Sequence, residues 1–488
     1  MSNHTATQFS SLSEIMNAAR ADSHPVSFSE QGTWTWQQFK SDIATLVSQL
    51  RRTQQQHIAL CSNDTYLFAI GFFALSQANK TIVLPGNYQP NALIELANQY
   101  ELLLCDQEIA ASISAAENKH NIDGSVEMML LVSSSSDQSN RLDSDQRESH
   151  QRESSQCEST PTFETLDLDA QQIILYTSGS SGQPKAITKT MAQLNAEVAV
   201  LERQWGKHLQ GTTIESTVSH QHIYGLLFKL LWPLCAGRAF NKMTLEYPEQ
   251  LLTHCDKDTL LISSPALLKR LTGQMPGAYR MIFSSGGPLP FQAAQESKQW
   301  LGQLPTEVFG STETGGIAFR QQANDTSPWQ LFPSIEADVN AEHCLKLKSP
   351  YIDPSRWYQT ADQVELLGEG LFQLKGRADR IVKIEEKRIS LVEVEKRLEQ
   401  LPWIEESAVI PMYDDERLTL VAAIALTPLG EEKIRALGKG KFWLALRAEL
   451  RQWLEPIATP KRFRVVNEIP LSSQGKRLTA NIEQLFEK

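Results

Sequence analysis

Three short segments combine glycine with hydroxyl side chains in a way that suits phosphate binding, and the first and third also carry a charged side chain. They are residues 177–185 (TSGSSGQPK), 284–288 (SSGGP) and 310–316 (GSTETGG). Hydroxyls and glycine amides can donate to phosphate oxygens, glycine allows close approach of the backbone, and a lysine adds positive charge. The first segment has neither Walker-loop spacing nor the GxSxG pattern of a nucleophile elbow, which disfavours a kinase or a hydrolase. A solvent-exposed linker is the alternative, because linkers share this composition.

Each segment follows a short run that predicts a strand, at residues 173–176, 281–283 and 307–309, and the first of these is apolar enough to be buried. After the first segment, five apolar residues recur at helical spacing, which predicts the order strand, loop, helix: Met191, Leu194, Val198, Leu201 and Trp205. In open α/β sheets, ligands bind beyond the carboxyl ends of the strands. We therefore expect the three segments to share one site.

The wider pattern predicts an α/β fold. Residues 57–61, 66–77 and 81–85 predict strand, helix and strand, which is typical of a parallel sheet covered by helices. A Ser-, Gln- and Asp-rich stretch within about 115–160 predicts a low-complexity loop or insertion. From about residue 380, short strands alternate with amphipathic helices, which indicates a small α+β domain.

Composition excludes several classes of protein. The 488 residues include 46 basic and 57 acidic side chains, for a net charge of −11, which argues against general nucleic-acid binding. The longest apolar run, residues 66–75, is far shorter than the roughly 20 residues of a membrane helix. Six dispersed cysteines form no CxxC pair, so we expect thiols in a reducing cytoplasm rather than a zinc site.

Five segments occur in a characteristic order: YTSGSSGQPK, FGSTETGG, WYQTADQ, GRADRIVKI and LSSQGKR. In this the chain resembles the adenylate-forming superfamily of acyl- and aryl-CoA synthetases, peptide-synthetase adenylation domains and luciferases. The resemblance runs from about residue 25 to the C-terminus, interrupted by the 115–160 stretch. It looks closest to stand-alone synthetases of fatty-acid-like or aryl-polyene pathways.

The resemblance implies binding of ATP and Mg²⁺. Glu313 matches the carboxylate that holds Mg²⁺, and Lys476 the lysine that bridges the substrate carboxylate and the α-phosphate. Phe309 matches the ring that stacks on adenine, Asp362 the acceptor of the ribose hydroxyls, and Arg377 a second ribose or phosphate contact. The implied nucleotide-binding residues are Thr177, Ser178, Gly179, Ser180, Ser181, Gly182, Lys185, Gly286, Gly287, Pro288, Phe309, Gly310, Ser311, Thr312, Asp362, Arg377 and Lys476.

The same resemblance implies the catalytic group, the acid pocket and the domain boundary. The implied catalytic residues are Lys476, His222, Thr312 and Glu313. The implied substrate pocket contains His222, Gly225, Ser285, Gly315 and Gly316. A large N-terminal domain of doubly wound parallel sheets, residues 1–378, is followed by a small mobile α+β domain, residues 379–488, with its hinge at Asp379.

The resemblance also implies the reaction. A carboxylic acid, aryl, hydroxyaryl or fatty, is activated to acyl-AMP and passed to the thiol of CoA or of an acyl carrier protein. The chain departs from the family pattern at Ala361 and at Glu386, where glycine is usual. In the family this loop lines the thiol tunnel, so a carboxylate at Glu386 favours either a carrier-protein pantetheine or a differently shaped tunnel over ordinary handling of CoA. A luciferase-like oxidoreductase and a non-catalytic nucleotide-binding protein are the alternatives.

The assignment of Lys476 predicts a separation of the two half-reactions. We expect Lys476→Ala to abolish formation of acyl-AMP, because its charge is needed beside the α-phosphate. Transfer to the thiol from supplied acyl-AMP should remain, because Lys476 would move away after adenylation. Assaying the two half-reactions separately tests this, and equal loss of both would contradict the assignment.

Overall fold

The computed structural model describes residues 8–86, 88–120, 126–133, 161–178, 184–271, 277–384, 387–414, 417–452, 454, 456–471 and 477–487. Two compact units emerge. Unit 1 holds the described residues up to Asp325 together with Phe332–Ser334 and Ser349–Pro354. Unit 2 holds Thr326–Leu331, Ile335–Lys348 and the described residues from Ser355 onward.

Unit 1 alternates strands and helices along the chain. Its strands are β1 (Pro25–Ser29), β2 (Gly32–Thr35), β3 (His57–Cys61), β4 (Thr81–Leu84), β5 (Leu102–Cys105), β6 (Met128–Leu130), β7 (Gln172–Ser178), β8 (Pro184–Thr190), β9 (Thr213–Ser216), β10 (Phe240–Asn241), β11 (Thr259–Ser263), β12 (Met281–Ser284), β13 (Thr306–Ser311) and β14 (Gly315–Gln321). Its helices are α1 (Trp36–Leu50), α2 (Thr65–Gln77), α3 (Pro90–Glu95), α4 (Gln107–His120), α5 (Met191–Trp205), α6 (Ile223–Gly225), α7 (Trp232–Ala236), α8 (Pro248–Thr253), α9 (Pro265–Leu268) and α10 (Phe291–Leu301), with a π-helical turn, Leu226–Leu231, between α6 and α7.

The strands of unit 1 form two sheets. One has the order β6-β5-β3-β4-β7-β8 and is parallel except where β7 meets β8. The other has the order β14-β13-β12-β11-β9-β10-β1-β2 within this unit and is antiparallel only at its two ends. Parallel strands joined by helical crossovers confirm the α/β class predicted for this part of the chain.

Local sequence explains the elements that lead to the site. The central strands β3 to β5 are buried along nearly their whole length, as parallel strands covered on both faces must be. Helix α5 begins with a capping box, in which Thr190 and Gln193 exchange backbone and side-chain hydrogen bonds. The predicted order of strand, loop and helix was incomplete, because β8 intervenes before α5 and pairs with β7.

The predicted loop at about 115–160 overlaps regular structure at its start. Helix α4 continues to His120, and β6 pairs in parallel with β5. Val126 and Leu131 flank β6 and are buried, which explains why a short apolar run joins the sheet despite its polar surroundings. Residues 121–125 and 134–160 lie outside the described residues, where the loop stays a prediction.

An aromatic cluster supports the elements that end near the predicted site. Trp205, at the end of α5, lies 4.7 Å from the ring of Phe283 on β12 and 5.3 Å from that of Phe319 on β14, centroid to centroid. Phe228, in the π-helical turn, lies 5.1 Å from Phe283. These edge-on contacts join α5, the π-helical turn, β12 and β14 into one apolar layer.

Unit 2 is built from smaller sheets. Its strands are β15 (Trp329–Leu331), β16 (Glu336–Val339), β17 (Cys344–Lys348), β18 (Tyr358–Gly368), β19 (Leu371–Arg377), β20 (Ile381–Ile384), β21 (Lys387–Ser390), β22 (Ile404–Asp414), β23 (Arg417–Leu426) and β24 (Arg462–Val465). Its helices are α11 (Leu391–Glu399), α12 (Pro428–Leu437), α13 (Lys439–Leu450) and α14 (Thr479–Gln484). The sheet orders are β16-β17-β18-β19-β15, β20-β21 and β22-β23-β24.

The predicted small α+β domain is confirmed in the C-terminal part of unit 2. Val394 and Leu398 of α11 are fully buried in one apolar cluster with Phe442 and Leu446 of α13 and Val409 of β22. The domain boundary at 378/379 and the mobility of this domain stay predictions. Across the described part of the chain, no helix has the length and apolar character needed to cross a bilayer.

The core of this domain gives a stability test. We expect Leu398→Ala to destabilise it by about 2–5 kcal/mol, because the side chain is fully buried and its loss leaves a cavity. Hydrogen exchange of the β22 amides measures the effect. Leu444→Ala on α13 is the matched control, since Leu444 is 66% exposed. Similar protection losses in the two variants would contradict the prediction.

Candidate active site

The first predicted phosphate-binding segment lies at the hairpin between β7 and β8 of unit 1. Thr177 is paired with Lys185, and Ser178 with Pro184. The structure thus places Thr177 and Lys185 side by side at the carboxyl end of β7. The predicted Gly179, Ser180, Ser181 and Gly182 lie outside the described residues, as does the side chain of Ser178.

The second segment follows β12 of the other sheet. The hydroxyl of Ser285 donates to the carbonyl oxygen of Val308 at 2.8 Å, which joins the end of β12 to β13. Gly286, Gly287 and Pro288 then continue along the surface of unit 1. These three predicted nucleotide-binding residues thus follow β12, which pairs in parallel with β13, the strand that carries the predicted Phe309.

The third segment is the tight hairpin between β13 and β14. Gly310 is paired with Gly316, and Ser311 with Gly315, so residues 312–314 form the turn. We call these three residues the 312–314 turn. The Ser311 amide donates to the hydroxyl of Thr314 at 3.0 Å. A Cβ atom at Gly310 would lie 2.2 Å from the carbonyl oxygen of Gly315, so only glycine fits there.

An ion pair joins the hairpins of the two sheets. The Lys185 Nζ lies 2.8 Å from Glu313 Oε1, although the two residues are 128 positions apart. Burial raises the pKa of the Glu313 carboxyl, but the hydrogen bond and charge of Lys185, with further hydrogen bonds from the Glu313 main chain and Ser311, together lower it overall. The Glu313 carboxylate is therefore ionised at neutral pH.

The chemistry of this carboxylate suits a magnesium ion bound together with phosphates. Mg²⁺ prefers oxygen ligands and is commonly held by one or two carboxylates plus substrate phosphate oxygens. Within the described ranges, no three or more His, Cys, Asp or Glu side chains cluster as a ligand set. Glu313 would thus supply one carboxylate ligand beside the phosphate oxygens of a nucleotide.

Two of the predicted acid-pocket residues, His222 and Gly225, lie at α6, whereas Ser285 follows β12 and Gly315 and Gly316 begin β14. His222 directly precedes this helix and is partly buried. A Cβ atom at Gly225 would lie 2.0 Å from the carbonyl oxygen of Ser219, so the backbone permits only glycine there. The neighbouring His220 is structural, because its ring nitrogens lie 3.0 Å from the Thr65 hydroxyl and 2.9 Å from the Ser62 carbonyl oxygen. Burial lowers the pKa of His220 well below its usual range.

The two predicted ribose contacts lie in unit 2. Asp362 on β18 and Arg377 on β19 are cross-strand partners, and their side chains pair at 3.0 Å. Asp379 follows in a 3-10 turn, Ala378–Arg380, with its side chain outside the described set. Lys476 and Glu386 lie outside the described residues altogether.

Family comparison decides the broad assignment. The model of the AMP-binding enzyme family matches residues 16–343, and that of its C-terminal domain matches residues 393–476. The chain belongs to the AMP-binding enzyme family. Together with the relatives described next, this match confirms at the level of the family the predictions of an AMP-forming acid–thiol ligase and of its α/β fold, and binding of ATP follows from the family.

Curated relatives of this AMP-binding enzyme divide between two acceptors. A 4-coumarate–CoA ligase of Rhodobacter capsulatus is 29% identical over 312 residues, covering 63% of this chain and 75% of the relative. A medium/long-chain-fatty-acid–acyl-carrier-protein ligase of Mycobacterium tuberculosis is 25% identical over 359 residues, covering 63% of this chain and 65% of the relative. The crystal structure of ATP-bound MatB from Rhodopseudomonas palustris shares the fold, with a TM-score of 0.76 and 17% sequence identity. The match covers 98% of this chain and 99% of MatB.

Sequence reasoning missed two buried charged residues beside the 312–314 turn. They are Lys189 of β8 and Glu197 of α5, which are 3% and 4% exposed. Burial lowers the pKa of Lys189 to about 8 and raises that of Glu197 to about 7, and each residue's charge opposes the shift of the other. The available signal was the position of Glu197 beside the apolar stripe of α5, between Leu194 and Val198.

The ion pair between Lys185 and Glu313 predicts a pH-dependent contribution to stability. The lowered pKa of Glu313 means that this contribution is present above the carboxyl's unfolded pKa and is lost as pH falls through the folded pKa. We expect Lys185→Met to lower the unfolding temperature at neutral pH, with the deficit vanishing in acid. The effect should be small, because the Lys185 side chain is 57% exposed.

Thermal unfolding between pH 3 and 8, without nucleotide or Mg²⁺, measures this difference. Glu313→Gln provides the control background, in which Lys185→Met should cause no pH-dependent change. A deficit that is independent of pH in the wild-type background would contradict the prediction.

Proposed function

We propose that this chain activates a carboxylic acid with ATP and transfers the acyl group to a thiol. The observation that carries the proposal is the ion pair between Lys185 and Glu313. It brings together two of the three segments that suggested phosphate binding, the ones that carry a charged side chain. A lysine beside a carboxylate, with hydroxyls on both hairpins, suits a polyphosphate accompanied by a divalent cation.

In the first half-reaction, an oxygen of the acid attacks the α-phosphorus of ATP. The bond between the α-phosphorus and the bridging oxygen breaks, and pyrophosphate leaves. Positioning and charge stabilisation dominate such phosphoryl chemistry. Lys185, Thr177 and Thr312 would hold phosphate oxygens, and Glu313 would hold Mg²⁺. The ion, when bound, neutralises charge that develops on the leaving group.

In the second half-reaction, the sulfur of the acceptor attacks the carbonyl carbon of acyl-AMP. The thiol loses its proton, a thioester forms and AMP leaves. We place the boundary of the mobile C-terminal domain at 378/379, with the hinge at Asp379, so that Lys476 acts only in adenylation. Asp362 and Arg377 would hold the ribose, with Phe309 against the adenine. His222, Gly225, Ser285, Gly315 and Gly316 would line the acid pocket.

For the substrates, we propose an aryl or hydroxyaryl acid and an acyl-carrier-protein acceptor, as in an aryl-polyene pathway. The 4-coumarate–CoA ligase supports an aromatic acid, and the Mycobacterium tuberculosis ligase supports a carrier protein. Glu386 supports the same acceptor, because a carboxylate in the thiol tunnel would disfavour CoA. We also propose that the protein acts in the cytoplasm, as the cysteine pattern predicts.

A competition assay tests the substrates and the acceptor together. The enzyme is incubated with ATP, Mg²⁺ and a panel of aryl and alkyl acids, with CoA and a phosphopantetheinylated acyl carrier protein both present. Mass spectrometry identifies the thioesters. We expect an acylated carrier protein bearing an aryl group, and Glu313→Gln should lose at least about 100-fold of the rate, because it removes transition-state charge stabilisation.

Other outcomes discriminate between the alternatives. Formation of acyl-CoA alone would contradict the carrier-protein acceptor. Selection of an alkyl acid would contradict the aromatic substrate. Absence of acid-dependent pyrophosphate release would contradict adenylation and favour a nucleotide-binding protein, whereas oxygen uptake after adenylation would favour the luciferase-like alternative.

A further inference from the structure

Lys189 and Glu197 are buried charges that the proposed chemistry does not use. Removing a lysine or a glutamate from water is costly unless charged or polar partners surround it. Both residues lie within unit 1, on consecutive elements, β8 and α5. Lys189 binds main-chain oxygens of the 312–314 turn and of Tyr351, and Glu197 binds the main chain just after the turn, at Gly316.

Lys189 binds the main chain of the turn itself. Its Nζ donates to the carbonyl oxygen of Glu313 at 2.7 Å and to that of Tyr351 at 2.7 Å. The Tyr351 hydroxyl in turn lies 2.9 Å from the hydroxyl of Ser334. One ammonium group therefore connects β8, the 312–314 turn and the Ser349–Pro354 segment. The side-chain amide of Gln193, on α5, also donates to this segment, at the carbonyl oxygen of Ile352.

Glu197 holds the other side of the turn. Its Oε1 accepts a hydrogen bond from the Gly316 amide at 2.7 Å. A Cβ atom at Gly315 would lie 2.6 Å from Glu197 Oε2, and one at Gly316 would lie 3.0 Å from Oε1. Gly315 also has a φ of +68°, which side chains rarely adopt. The first residues of β14 are thus folded closely around this carboxylate.

We propose that Lys189 and Glu197 are positioning residues for Glu313. Lys189 holds the main chain at Glu313, and Glu197 holds it at Gly316, three residues further on. The turn between them has no freedom to shift without breaking a charged hydrogen bond inside the protein. The pair thereby fixes where the Glu313 carboxylate meets its cation. This inference rests on the proposed function of Glu313.

Substitution of Lys189 tests the positioning role. We expect Lys189→Met to lower kcat of acid-dependent ATP–pyrophosphate exchange by about 10–100-fold, because an error of about 1 Å in a catalytic group has this scale of effect. KM for the acid should change little. Lys189→Arg keeps the charge and several donors, so it should lie closer to wild type than to Lys189→Met. Glu197→Gln keeps an acceptor for Gly316 and should show an intermediate loss.

Matched controls separate positioning from general destabilisation. Lys80 is another buried lysine of unit 1, 5% exposed, whose Nζ donates to the carbonyl oxygen of Thr53 at 2.9 Å. Glu202 is another carboxylate of α5, bound to Arg238 and Trp232. Lys80→Met and Glu202→Gln should lower the unfolding temperature without the loss of kcat.

A double-mutant cycle with Glu313→Gln decides the question. If Lys189 acts through Glu313, Lys189→Met should cause little further loss of acyl-AMP formation in the Glu313→Gln background, measured in single turnovers. Additive losses, or a loss in Lys80→Met equal to that in Lys189→Met, would overturn the inference. If the Lys189→Met variant does not fold, Glu197→Gln and Lys189→Arg are each combined with Glu313→Gln in the same way. Their losses in the two backgrounds then test the inference.

The wild-type measurement separates the two levels of failure. Absence of acid-dependent exchange with every acid would overturn the proposed function and this inference with it. Exchange in the wild type together with additive losses would overturn the inference alone.

Discussion

The site depends on one constraint: a lysine buried in unit 1 must find acceptors inside the protein. Lys189 finds them in the main chain at Glu313 and Tyr351. Those acceptors belong to the turn after β13 and to the Ser349–Pro354 segment, whereas Lys189 comes from an edge strand of the other sheet. A single buried ammonium thus ties the two sheets together where their loops converge, and Lys185, four residues earlier, reaches Glu313 from the same strand.

Close main-chain packing reinforces this constraint. Gly310 and Gly315 approach each other so nearly that a side chain at Gly310 would collide with the opposite strand. Glu197 occupies the space on the far side of Gly315 and Gly316. The glycines that suggested phosphate binding in the sequence therefore have a second role, because they let the hairpin close around a buried carboxylate. The aromatic layer around Trp205 then supports α5, β12 and β14 from the apolar side.

Electrostatics and burial act in opposite directions across the site. Glu313 is partly exposed, and its contact with Lys185 is among the interactions that lower its pKa and favour the ionised form. Glu197 is buried, which favours its neutral form, whereas the Gly316 amide and the charge of Lys189 oppose that tendency. Two carboxylates near one turn thus have different environments, and the difference suits one to a cation and the other to holding the backbone.

The sequence by itself determined the local features. The apolar runs at 57–61 and 281–283 and the periodic stripe of 191–205 predicted β3, β12 and α5, because burial of one face or of a whole strand leaves a pattern in consecutive residues. The ordered motifs identified the family. Tertiary structure alone decided which charges meet: Lys185 with Glu313, Asp362 with Arg377, and Lys189 and Glu197 with the backbone of one turn. It also decided that residues 128–130 join a sheet, since three apolar residues form a strand only where a neighbour such as β5 offers its edge. Partners far apart in the chain leave no local pattern, because their contact depends on how the sheets pack.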